Sequence, residues 1–437
     1  MSAWGNRSSS PLLQRIADSH TPTTAASTSP ITTLTLLPGK TFSPSNQLTA
    51  LHLFDRLLEV NLSGKVWSDL SALSGKLSSE TCTLQILRLG TSEFTSEDLS
   101  TLLPSQNTSL LTLDLSSKSL TTLPCLKPFK TLQNLDVSRN SNLKITSSKK
   151  LSDLCSSTLK DINLSECPEI LSSVEEDFFD VHLNSLDISL IKPGSYLNKL
   201  TSKVLDINLT GIEGLETYTL FQGSHLVTKK LNLKDCKLKS CGGFKNFENI
   251  EEIVLEGNPD VINEDLIDGF RSSLKLLDLS NCGFDNISVS VFSKVLGLEL
   301  NTLRLFNNKL YKHESLNEIW GCLISNLNTS KIVNVDLGGN EIPQEFICSL
   351  FESLHTPSHL KTLELGGNKF GPQSDESLKI LKNNNPELDV ARDIPERNLS
   401  SNMVVGSNRG FEEGSNVKEE VEGLMKKAGW KTGEFQG

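Results

Sequence analysis

Apolar positions along this chain repeat one spacing: a leucine-like residue, another three on, a third two further, then asparagine or cysteine three beyond. It reads Leu132, Leu135, Val137, Asn140, and again Leu274, Leu277, Leu279, Cys282. It returns as Leu300, Leu303, Leu305, Asn308, as Ile332, Val335, Leu337, Asn340, and as Leu360, Leu363, Leu365, Asn368. Residues two apart in an extended segment share a face, so the paired leucines point one way and the residue between them the other. Each phrase therefore predicts a short strand with one buried side. Asparagine after the strand has donors and an acceptor for the backbone of the following turn, and cysteine is a small polarizable residue that tolerates burial there.

The first apolar position falls at Ile31, Leu57, Leu84, Leu110, Leu132, Leu159, Leu183, Val204, Thr228, Ile250, Leu274, Leu300, Ile332 and Leu360, which makes fourteen units. A degraded fifteenth ends in Leu388-Asp389-Val390. Successive starts lie 21 to 32 residues apart. The weakest units are the first two, with Gly39 and Lys65 at the asparagine position, and the one at Thr228; Ser92 and Ile191 also depart from the pattern. This array resembles the leucine-rich repeat family, whose units stack into a horseshoe with one strand each on the concave side. The implied fold is an α/β solenoid, with parallel strands on the concave face and helices, 3₁₀ segments and turns on the convex face. No unit buries its leucines alone, and stacking makes the core continuous, at roughly 1.5–3 kcal/mol per fully buried aliphatic side chain.

The return segments differ along the array. His313 to Leu327 carries Leu316, Ile319, Trp320, Leu323, Ile324 and Leu327 at helical spacing. Phe346, Ile347, Leu350, Phe351 and Leu354 repeat this, with Pro343 near the helix start, and Leu378 and Leu381 do so more weakly. The C-terminal repeats thus resemble the ribonuclease-inhibitor-like class. The shorter middle repeats predict turns and 3₁₀ segments.

The expected organisation is a disordered Ser/Thr/Pro-rich segment over 1–30, a solenoid over 31–391, and a linker with a short amphipathic helix over 392–437. In that tail Val421, Leu424, Met425 and Trp430 line an apolar face, with acidic residues early and Lys426 and Lys427 late. Such a helix needs a surface, either the solenoid itself or a partner's groove.

Net charge is −11 over 437 residues. That disfavours nucleic acid, which requires a basic stripe, and fits a basic protein partner. The nine cysteines show no metal-ligand spacing and are expected to be reduced. No stretch reads as a secretory signal or a membrane span. The expected state is a monomer in the cytoplasm, with the nucleus as the alternative. The sequons Asn61-Leu-Ser63, Asn163-Leu-Ser165 and Asn208-Leu-Thr210 fall within expected strands.

No catalytic constellation, cofactor motif or metal site emerges. Gly39-Lys40-Thr41 fails as a phosphate loop because Leu34 stands where glycine is required. The concave ladder is the candidate site. Its central residues are Thr35, Asn61, Arg88, Asp114, Asp136, Asn163, Asp187, Asn208, Asn232, Val254, Asp278, Arg304, Asp336, Glu364 and Asp389. Glu59, Asp161, Asp206, Glu252 and Glu256 flank it against Lys230 and Lys234, making an acidic groove suited to a basic partner. Arg304 and Phe306, with Val254 and Glu256 two repeats earlier, form an Arg-plus-aromatic candidate hot spot.

The reading is a non-catalytic protein-interaction scaffold. Two alternatives come from resemblance. The long C-terminal repeats are similar to those of the Ran GTPase-activating family, implying a regulator of a small GTPase. No motif of that family matches residue by residue, and the tail is short and of mixed charge where that family's is acidic. Tropomodulin also ends in a helical leucine-rich repeat, implying actin capping, but its N-terminal actin-binding helices have no counterpart here.

Overall fold

In the computed structural model, residues are described at 33–35 and across 56–393, except 65–70, 91–98, 100–101, 103–106, 117–119, 146–149, 173, 176, 216–225, 239–243, 245–246 and 355–358. The segment 1–30 and the tail helix bearing Val421, Leu424, Met425 and Trp430 lie outside these residues.

Among the described residues fifteen strands form one parallel sheet in chain order. They are β1 Thr33–Thr35, β2 Glu59–Asn61, β3 Ile86–Arg88, β4 Thr112–Asp114, β5 Asn134–Asp136, β6 Asp161–Asn163, β7 Leu183–Asp187 and β8 Val204–Asn208. The set continues with β9 Lys230–Asn232, β10 Glu252–Val254, β11 Leu276–Asp278, β12 Thr302–Arg304, β13 Asn334–Asp336, β14 Thr362–Glu364 and β15 Asp389–Ala391. The pairing is in register from repeat to repeat; Leu277 stands beside Leu303 and Leu303 beside Val335. The three apolar positions of the motif form the core, as in Leu274, Leu277 and Leu279, all buried.

The sheet runs without a break past Thr228, since β9 pairs with both β8 and β10. Thr228 is fully buried, and its hydroxyl lies 3.1 Å from Thr201 O and 2.8 Å from Val204 O. A threonine substitutes for leucine here because the preceding repeat offers carbonyls that satisfy its hydroxyl.

The return segments confirm the helical C-terminal repeats and correct one boundary. Helices α5 Leu316–Thr329, α6 Gln344–Ser353 and α7 Pro372–Asn384 follow β12, β13 and β14; among the described residues four shorter helices come earlier, α1 Ser71–Ser78, α2 Leu151–Leu154, α3 Glu264–Gly269 and α4 Val289–Leu296. The helix expected from His313 begins at Leu316, after a 3₁₀ turn over Leu310–Lys312. His313 is spent on the junction: its Nδ1 accepts the Ser315 N–H at 3.0 Å and its Nε2 meets Ile287 O at 2.6 Å. The middle repeats do contain 3₁₀ segments, at Ser195–Ser202, Pro259–Val261 and Phe284–Asn286. They also accommodate short α-helices that repeat length alone did not predict. In α4 the Ser288 hydroxyl caps Val291 N at 3.2 Å, and Phe292 packs edge-on to Phe284 with centroids 6.1 Å apart. Trp320 and Phe346 make the same kind of contact between α5 and α6 at 5.9 Å.

Where the exit is described, at β2 and from β5 to β14, the chain leaves the strand through a residue with positive φ at the same motif position, one before the asparagine or cysteine. Arg139, Glu166, Leu190, Gly211, Asp235, Gly257, Asn281, Asn307, Gly339 and Gly367 all occupy it. Leucine is the poorest fit to this left-handed conformation, and Leu190 is also 53% exposed. Leu190→Asn, the residue two later repeats use there, should stabilise the protein by about 0.5–1 kcal/mol in denaturant unfolding. A loss of stability would show that Leu190's packing over Gly211 outweighs backbone strain.

Among the described residues no helix is long and apolar enough to cross a membrane. The eight described cysteines are all free.

Candidate binding face of the sheet

Residues between the core leucines stand on the open face of the sheet in three columns. The middle column holds Asn61, Arg88, Asp114, Asp136, Asn163, Asp187, Asn208, Asn232, Val254, Asp278, Arg304, Asp336 and Glu364 in register. One expected member is displaced. Ala391, and not Asp389, pairs with Glu364; Asp389 stands beside Thr362 in the neighbouring column. The degraded motif hid a two-residue shift in the last strand.

Most acids and amides of this column have a local task that the sequence reading did not assign them. The side chain of Asp114 accepts the N–H of Ser116 at 2.9 Å, and Asp136, Asp187 and Asp278 do the same for Ser138, Ser189 and Ser280. Asp336 accepts Gly338 N at 2.8 Å, while Asn61, Asn163, Asn208 and Asn232 complete the series. Each is an Asx turn that bends the chain out of the strand. The hydroxyls of Ser116 and Thr210 reach the same side-chain oxygen at 2.6 Å. The signal was present in the sequence as Asx-x-Ser/Thr, and the sequons are the asparagine version of that turn. Asp278 and Asp336 are buried, at 4% and 7% exposure, so their contribution to a docking surface is small.

Charge on this face is unevenly cancelled. Glu59 pairs with Arg88 at 3.0 Å. From β9 to β12 every acid has a cation: Lys230 with Glu252 at 2.8 Å, Lys234 with Glu256 at 3.0 Å, and Arg304 with Asp278 at 3.4 Å. From β4 to β8 five carboxylates, Asp114, Asp136, Asp161, Asp187 and Asp206, stand in these columns, and among the described residues no lysine or arginine shares them. Burial, with Asp114 nearby, pushes the Asp136 carboxyl up to about 6, against the opposing hydrogen bonds of Ser138 and Asn163. Burial also raises Asp161, against the charge of Lys160, and Asp206, where Lys230 opposes the rise and Glu252 and Asp161 add to it.

Of the expected hot-spot residues, Val254 and Arg304 flank Asp278 across β10–β12, and Glu256 is held by Lys234. Phe306 is half-buried and lies toward the next repeat, where a Cβ on Gly338 or Gly339 would meet its ring at 3.0 and 3.1 Å. Arg88 lies nine strands from Arg304 in the same column. Glu364 is half-buried on β14.

Beneath the exits runs the motif's last position. Asn340, fully buried, donates to Leu305 O at 2.8 Å, Leu337 O at 2.9 Å and Gly338 O at 3.2 Å, and accepts Asn308 N at 2.8 Å. Asn140 and Asn258 repeat the pattern on Leu115 O and Leu233 O of their preceding repeats. Cys167, Cys236 and Cys282 take the same place through Val137 O, Leu209 O and Leu255 O, and burial pushes their thiols up to about 12. The fold is a leucine-rich repeat solenoid. No family model and no curated protein matches this solenoid's sequence. Among solved structures it is similar to the crystal structure of a TLR13–ssRNA13 complex, at 15% identity and a TM-score of 0.46. That match covers 78% of this chain and 46% of the other, so the solenoid spans about half the length of that chain. Among the described residues no group of three or more His, Cys, Asp or Glu is arranged to hold a metal ion.

Proposed function

We propose that the chain is a non-catalytic protein-binding scaffold that holds a basic segment of a protein partner against the open face of its sheet. The observation behind this is the run of Asp114, Asp136, Asp161, Asp187 and Asp206 across β4–β8, with no lysine or arginine in its columns, beside a stretch where each acid is held in a salt bridge. A row of like charge on a fixed sheet raises the local concentration of a complementary partner and orients it.

The test removes charge without removing the turns. Asparagine at positions 114, 136 and 187 still accepts the i+2 N–H. Affinity capture with the triple variant should lose basic partners that the wild-type chain retains at low salt. Identical captures would end the proposal, and a small GTPase dominating both would favour a regulatory role instead.

Arg304 stands in the middle column on β12, at the far end of the paired stretch, with Phe306 two residues on. Arg304→Ala with Phe306→Ala is expected to weaken partner binding about tenfold or more. Because Phe306 packs on the Gly338–Gly339 turn, the pair should also lose about 1–2 kcal/mol of stability. Titration beside denaturant unfolding separates the two effects; unchanged affinity removes these residues from the interface.

A further inference from the structure

Two thiols outside the repeat motif meet between consecutive repeats. Cys125 lies in the return segment after β4, and Cys155 closes α2 in the return segment after β5. The Leu126 N–H donates to Leu154 O at 2.6 Å, so the two bonded peptide groups are the ones that adjoin these cysteines. Covalent geometry across that bond holds their Cα atoms within about 7 Å of each other. A disulfide spans about 4.4–6.8 Å between Cα atoms. Cys125 Sγ reaches toward the other segment and lies 3.9 Å from Asp153 O, two residues before Cys155. The thiols also sense each other: burial pushes Cys155 up to about 12, and the charge of Cys125 adds to the rise. Their exposure differs. Cys125 alone among the described cysteines is exposed, while Cys155 is 3% exposed. Cys167, Cys236 and Cys282, by contrast, are spent on carbonyls of the preceding repeat.

We infer that Cys125 and Cys155 are a redox modification site, at which a peroxide joins the two return segments through a disulfide. The order of steps follows from exposure. Cys125 is open to solvent and reacts first: its sulfur bonds to one peroxide oxygen, the O–O bond breaks, and water leaves. The product is a sulfenic acid on Cys125. The Cys155 sulfur then bonds to the Cys125 sulfur and displaces the hydroxyl, which leaves with the Cys155 proton as a second water. The two thiols lose two electrons in all, and the peroxide gains them. A thiol kept protonated by burial is a slow nucleophile toward a peroxide in solution. In the second step its target is held beside it, and proximity offsets that handicap. The resulting bond ties one repeat to the next, and a thiol reductant reverses it.

The test exposes the full chain, reduced and folded, to hydrogen peroxide, with or without dimedone to trap sulfenic acid. Remaining thiols are alkylated in denaturant, and the digest is read by mass spectrometry. Without dimedone, a peptide linked through Cys125 and Cys155 should appear and should vanish on treatment with dithiothreitol. Cys167, Cys236 and Cys282 should be recovered as alkylated thiols. With dimedone, the label should fall on Cys125. Cys155→Ala should lose the linked peptide and raise dimedone labelling of Cys125 about threefold or more, because nothing then resolves the sulfenic acid. Cys125→Ser should lose the linked peptide and leave Cys155 alkylated; this exposed position keeps the test decisive should the alanine variant fold poorly. Sulfinic acid at Cys125 with Cys155 still alkylated in the wild type, a disulfide between two molecules at Cys125, or a linked peptide that forms only in denaturant would overturn the pair.

Discussion

Replacing Asn340 with alanine should cost about 3–5 kcal/mol, the largest loss expected from one polar residue in this chain. The side chain is fully buried and satisfies backbone groups on two repeats, among them Leu305 O, Leu337 O and Asn308 N. Alanine leaves these donors and acceptors without partners in a place water does not reach. Cysteine should restore part of the loss, since Cys282 makes the equivalent contact to Leu255 O at 3.3 Å from the same motif position. Thermal unfolding, with hydrogen exchange at residues 305–310, measures both variants. Wild-type stability in Asn340→Ala, or no difference between alanine and cysteine, would refute a hydrogen-bonding role for this position.

Asp136 should make the protein more stable in mild acid than at neutral pH. Its carboxyl moves from an ordinary 3.8 to about 6 in the folded chain, mainly through burial. The folded state therefore binds the proton more tightly than the unfolded one. The resulting stabilisation is complete below about pH 4 and is lost as pH rises through 6, with a full span of about 3 kcal/mol. Asp136→Asn removes the charge and keeps an acceptor for Ser138 N–H, but sets an amide N–H₂ against that of Asn163, which now donates to Asp136 at 3.2 Å. Allowing about 1 kcal/mol for that lost bond, the variant should gain about 1–2 kcal/mol at pH 7.5 and lose its advantage by pH 4. Unfolding across this range, compared between wild type and variant, cancels the other titrating groups. A difference that stays flat with pH would show that Asp136 does not sense its burial.

Repeat phase was readable because it is written in side chains of one kind at fixed intervals. Every strand but the last fell where the leucine spacing put it, and asparagine and cysteine occupied the turn as their chemistry implied. The open face was less legible. Asp136 and Asp161 read alike in sequence, as acids on strands, yet one closes its own turn with a hydrogen bond and the other only faces the charge of Lys160. The difference lies in the column each occupies relative to the exit, and hence in which backbone N–H it can reach. The charge cancellation at Lys234–Glu256 and Arg304–Asp278 depends on neighbours 22 and 26 residues away, and only strand register brings these together. Asp389 was misplaced for a related reason: once leucines become sparse, a period-two pattern no longer distinguishes one position from the next.

The buried clasp also bears on how such a chain changes size over generations. Asn308 reaches Leu279 O, Asn340 reaches Leu305 O and Asn368 reaches Leu337 O, each holding the repeat immediately before its own. Where isoleucine replaces the clasp, at Ile191 and Ile212, the strands β7 and β8 lengthen to five residues and pair more extensively. Each unit thus carries its own means of attachment to whatever unit precedes it. A gene that duplicates or drops one whole repeat joins two surfaces already matched, and its product gains or loses about 4.8 Å of open face without redesign elsewhere.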